Sequence, residues 1–224
     1  MRPLNLLQII SNDMKFKIQT GEVNVGWCDF SVQLGDEVWS CCASYIGSHP
    51  LLPLISSVVE IYDDGYATPT WAGCEPKICN TVIHDEPGGL IIKAIPTNNI
   101  HNDLRIQIFK FSDEITIPES EDPYDILPVA EGLVDFWDYA ESILEDASRT
   151  LVHHGFLGLL RSWEHVALED YSLLPIFPVE HFIYLAMLVK HRSSRFEITF
   201  KDEISLLQEL EQKYGANKAN TQSQ

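Results

Sequence analysis

The chain has 224 residues, of which 45% are hydrophobic and 21% charged, with a formal net charge of −18. That composition is globular rather than disordered or membrane-embedded, and its sign rules against nucleic acid and anionic membranes as partners, because both need a basic footprint. Five cysteines with no scaffold spacing (Cys28, Cys41, Cys42, Cys74 and Cys79) fit a reducing cytoplasm better than a disulfide-stapled secreted domain.

The N-terminal run MRPLNLLQIISNDMKFK is broken by Asn5 and Gln8 and is too short for a signal h-region. No other apolar run approaches the roughly 20 residues of a membrane span. A soluble, cytoplasmic protein is expected. The segment 14–19, MKFKIQ, alternates apolar and polar residues with the period of a half-buried strand. Strands over 24–34 and 37–46 flank Gly35-Asp36, a hairpin turn in which Gly supplies the positive φ needed first. Leu51, Leu54, Ile55, Val58 and Ile61 recur at helical spacing, predicting a helix over 51–62 that Gly65 ends. Strand patterns return over 77–85, 88–95 and 103–111, separated by Pro87-Gly88-Gly89 and Asn98-Asn99.

The segment 113–128 reads as an acidic connector, because Pro118, Pro123 and Pro128 bar a helix. After it the period changes to 3.6. Leu133, Phe136, Trp137, Ala140, Ile143, Leu144, Ala147 and Leu151 make one apolar stripe, opposed by Glu131, Asp135, Asp138, Glu141 and Glu145 and stopped by Gly155. A short helix over 156–165 follows, and another begins near Pro178. FEITF (196–200) reads as a strand and 202–214 as a closing helix, with a disordered tail over 216–224.

Chemistry-bearing motifs are few. His153 and His154 are adjacent, so a regular helix points them about 100° apart, which does not suit one metal ion. Their place in a last helical turn suits the negative end of the helix dipole. Cys74, Cys79 and His84 are spaced too widely for a zinc site, and Cys79 and His84 face opposite sides of one strand. The turn holding His84, Asp85 and Glu86 is a place for acid–base groups, but polar hairpin tips are common for turn chemistry alone. No phosphate loop, dinucleotide fingerprint, nucleophile elbow or HExxH is present. No catalytic residue, metal or cofactor is assigned.

The strongest departure from an average chain is 112–148, with twelve acidic residues and no Lys or Arg, so the other 187 residues carry only −6. Unmixed charge of this kind reads as a solvated face or as a docking surface for a basic protein.

At HPLLPLISSVVEIYDDG, followed by Thr70-Trp71 and Glu86-Pro87-Gly88-Gly89, the chain resembles uncharacterised bacterial proteins. In these a PLxxL helix precedes a Trp-bearing strand and an EPGG-like turn. Some of them look like immunity partners of bacterial toxins. The resemblance covers roughly 37–111 and carries no functional residue with it.

The expected fold class is α+β: a mostly antiparallel sheet in the N-terminal half with one packed helix, and a helical C-terminal part covering the core. One compact domain over 1–215 is expected, with a β-rich part (1–112), the connector (113–128) and a mainly helical part (129–215). The expected function is non-enzymatic binding of a basic protein through Glu131, Asp135, Asp138, Glu141 and Glu145, with toxin immunity as the concrete version. The alternatives are an enzyme working near His84, Asp85 and Glu86 or His153 and His154, and a structural or assembly subunit.

Overall fold

The structure, a computed structural model, describes residues 14–24, 27–44, 49–62, 78–85, 88–97, 103–112, 127–155, 177–193 and 199–214. Its first three strands are β1 (Phe16–Asn24), β2 (Trp27–Leu34) and β3 (Glu37–Ser44), paired antiparallel in the order β1-β2-β3. Period-two alternation explains them: Cys28, Phe30, Val32 and Leu34 of β2 are buried, and the residues between them face outward. Gly35 has a φ of 62° and Asp36 remains on the negative side, the combination that the Gly-first hairpin turn requires.

Helix α1 (Leu51–Ile61) buries Leu51, Leu54, Ile55, Val58 and Ile61, the residues whose spacing predicts it. A second antiparallel sheet follows, β4 (Cys79–Asp85), β5 (Gly88–Pro96), β6 (Asp103–Ser112) and β7 (Ala130–Asp135), in the order β4-β5-β6-β7. Among the described residues three helices follow: α2 (Phe136–His154), α3 (Val179–His191) and α4 (Phe200–Tyr214). The fold class is α+β, as the sequence predicts. No helix among the described residues is long and apolar enough to cross a membrane.

Two elements differ from expectation. The residues 130–135, assigned by spacing to the start of the long helix, form β7, because Ala130 to Val134 complete the edge of β6 in register, Ile108 opposite Ala130 and Leu104 opposite Val134. The helix begins only at Phe136. Of the strand expected over 196–200, residues 196–198 lie outside the described residues, and its end is helical instead: Thr199 and Asp202 form a capping box, Asp202 N–H donating to Thr199 Oγ1 (3.3 Å) and Thr199 N–H to the Asp202 carboxylate (3.0 Å), and α4 starts at Phe200. The helix expected over 156–165, the connector over 113–126, Gly65 and the C-terminal tail lie outside the described residues.

The sheets come together where β3 lies against β4, and Met14, ahead of β1, also reaches β7. Met14 N–H donates to the Leu133 carbonyl (3.3 Å), and Gly132 makes room, since a Cβ there would stand 2.2 Å from Met14 Sδ. Helix α2 then lies along the free edge of β1. Ile18 N–H donates to Ser142 Oγ (3.1 Å) and Thr20 N–H to Asp146 Oδ1 (2.9 Å). Side chains of a helix thus satisfy backbone groups that an edge strand leaves open. One buried cluster joins Ile18, Phe30 and Val32, α1, the inner faces of β4 to β7, Phe136, Tyr139 and Ile143 of α2, and Phe182 and Leu185 of α3.

Candidate functional site

The acidic side chains occupy several kinds of position. Glu131 stands exposed on β7, its carboxylate accepting from Gln107 Nε2 of β6 (2.6 Å). Asp135 is the N-cap of α2 and accepts from the Trp137 and Asp138 N–H groups (2.7 and 3.3 Å). These two residues therefore do not share a helix face with the rest, because β7 displaces the helix start. Asp138, Glu141 and Glu145 do lie on one exposed stripe of α2.

Cations reach part of that stripe from outside the acidic stretch. Arg192, the left-handed C-cap of α3 (φ 51°), pairs with Glu141 and stacks over the Trp137 ring at 4.5 Å. Arg149, one turn beyond Glu145, pairs with it at 3.2 Å. A twelfth carboxylate of the stretch, Asp146, is buried and structural: it accepts from the Thr20 N–H and hydroxyl and lies 3.4 Å from Arg149. Burial raises its pKa above the usual carboxylate range, against the pull of the Thr20 bonds.

Negative charge instead gathers at the junction of β7 and α2. The register of β6 and β7 sets Asp103 directly opposite Asp135 and Gln107 opposite Glu131, with Arg105 between them on the same strand. Asp138 lies exposed one turn into α2. Sequence reasoning missed Asp103, which sits outside the acidic stretch and joins it only through strand pairing.

The other candidates separate. His84 faces outward, its ring edge-on to Phe111 (centroids 6.1 Å apart). Asp85 has the opposite parity on β4, on the side of Cys41 and Cys42, and Glu86 is outside the described residues. Burial, then the nearby Asp85 carboxylate, pushes the Cys41 thiol up to about 12; burial does the same to Cys28. Neither thiol is a nucleophile at neutral pH. Cys79 is buried, and Cys74 lies outside the described residues.

His153 and His154 occupy the last turn of α2, their ring centroids 6.5 Å apart, before Gly155 closes the helix with its N–H on the Leu151 carbonyl (2.7 Å). His49 is among the histidines that sequence reasoning did not single out. It is buried before α1, where Nδ1 accepts from Leu51 N–H (3.2 Å) and the ring meets Phe177 edge-on (5.4 Å). Burial, then the charge of His154, lowers its pKa to about 3. It serves as the cap that α1 otherwise lacks, since Pro50 offers no side-chain acceptor. Among the described residues, no group of three or more His, Cys, Asp or Glu side chains is placed to hold a metal ion.

The chain matches no protein-family model, no curated protein and no solved structure.

Proposed function

We propose that the chain is a non-enzymatic protein that binds a basic protein partner, with a toxin-immunity role as the concrete version. The supporting observation is the carboxylate group at the β7–α2 junction, where Asp103, Glu131, Asp135 and Asp138 outnumber Arg105. Three buried titratable groups, Asp146, His49 and Tyr139, are each engaged in internal hydrogen bonds. Charge placed this way acts mainly on encounter rate and on salt dependence.

The test is capture from lysate at low and high salt by the native chain and by a Glu131→Lys, Asp138→Lys variant. Those positions leave the Asp135 cap and both arginine pairs in place. A basic protein held at low salt, shed at high salt and retained at least tenfold less by the variant is the expected result. Equal retention by both proteins, at matched melting temperatures, removes the reading.

A further inference from the structure

Arg192 reaches the acidic helix from a strained backbone position. It closes α3 in the left-handed region (φ 51°, ψ 32°), and among the described residues it is the only one other than glycine with a positive φ. Glycine is the usual residue there, because a Cβ crowds the following carbonyl. A long side chain held in that region points to something the side chain does.

What it does is fill a site on α2. Trp137 and Glu141 stand one turn apart on the same helix face. The Arg192 guanidinium lies 4.5 Å from the Trp137 ring centre, and one of its nitrogens pairs with the Glu141 carboxylate. Tyr62 and Phe136 brace the ring, with centroids 5.6 and 4.9 Å away, and the Asp135 cap fixes its backbone. An aromatic face with a carboxylate at its rim is an arrangement that recognises a guanidinium.

The occupant is lightly held. The Arg192 and Glu141 side chains are 46% and 48% exposed, and an ion pair so accessible to water contributes little. Release also frees the end of α3 to leave the left-handed region. A weakly held arginine can therefore exchange with the same group from another chain. The site adjoins the carboxylates of the β7–α2 junction, since exposed Asp138 follows Trp137 directly.

We propose that Trp137 and Glu141 form a receptor for an arginine side chain of the basic partner, which Arg192 occupies in the free protein and yields on binding. The inference rests on the basic-partner reading and names the group that the partner inserts. Arg192 competes with the incoming arginine, so apparent affinity falls by the fraction of time the site is empty; an occupant present about nine-tenths of the time lowers it about tenfold.

The probe is a short peptide of Gly, Ser and Arg, compared with versions carrying Lys or citrulline in place of Arg. Binding to the full chain is titrated, and the Trp137 indole N–H, assigned with Trp137→Phe, is followed by NMR. Arg192→Gly empties the site and suits a left-handed cap, so its melting temperature should be unchanged or higher. The expected result is binding of the arginine peptide about tenfold tighter by Arg192→Gly than by the native chain, with a shift of the Trp137 signal. Citrulline, which is uncharged, should lose that gain, and lysine, which lacks the planar fork, should keep only part of it. Adding Glu141→Gln should remove it. Should Arg192→Gly fold poorly, Arg192→Asn takes its place, since Asn also tolerates the left-handed region.

Equal binding of the arginine peptide by the native and emptied proteins, or its absence from both, overturns the exchange. So does a gain shared equally by the lysine or citrulline peptide, or one that leaves the Trp137 signal unmoved. Each of these failures leaves the basic-partner reading to the salt-dependent capture, which keeps Arg192 in place and tests other carboxylates.

Discussion

Asp146 carries a carboxylate into a helix face that solvent does not reach. Its oxygens collect the Thr20 N–H and hydroxyl, so Asp146→Ala strands two half-buried donors, and we expect a loss of about 1–2 kcal/mol in urea unfolding. Asp146→Asn keeps an acceptor and should lose much less; an alanine variant as stable as the native chain would mean that water replaces the carboxylate. Because burial raises this pKa, the folded chain binds the proton more tightly than the unfolded one, and ionisation costs stability as pH rises through the carboxyl range. His49 works with the opposite sign. Its folded pKa lies at about 3 against an ordinary 6.5, so the stability it contributes above 6.5 is lost as pH falls toward 3. In that window the unfolded chain takes up a proton that the native chain refuses, a slope of about 1.4 kcal/mol per pH unit. His49→Asn retains an acceptor for Leu51 N–H and cannot titrate, so its stability should fall one proton-equivalent less steeply between about pH 6 and about pH 4. Parallel slopes for the two proteins would show that His49 is already accessible to solvent protons.

At the scale of elements, the close approach of Met14 to β7 depends on the absence of a side chain at 132. Gly132→Val should push Met14 away, break its bond to Leu133 and lower stability by about 1–3 kcal/mol, the usual cost of overpacking a close contact. Unchanged stability would mean that the Met14 side chain swings clear. Signals within a few residues of an element were legible in the sequence: Gly35-Asp36 for the hairpin, Gly155 for the end of α2, Pro178 for the start of α3. The boundary at 135–136 was not, because Leu133 fits a helical stripe and only pairing with β6 makes it a strand. The end of FEITF contained its own correction, the Thr199 and Asp202 pair three apart, which marks a helix start. The site was less legible than the fold. Arg192 neutralises Glu141 from 51 residues away, and Asp103 meets Asp135 only through register.

For the whole molecule, charge of one sign dominates. Two exposed arginine pairs contribute little, and screening should relieve more repulsion than it removes attraction. The melting temperature should therefore rise as sodium chloride increases from low to physiological concentration; a fall would show that the pairs outweigh the net −18.

The helix that seals β1 arrives late. Ser142 and Asp146 lie 124 and 126 residues beyond the amides they accept from, so a ribosome must translate more than half of the chain before that edge has a partner. Until then the nascent hairpins present an open ladder along β1, the condition under which growing chains pair with one another or with chaperones. A message truncated before α2 would therefore yield a sticky template rather than a smaller working domain.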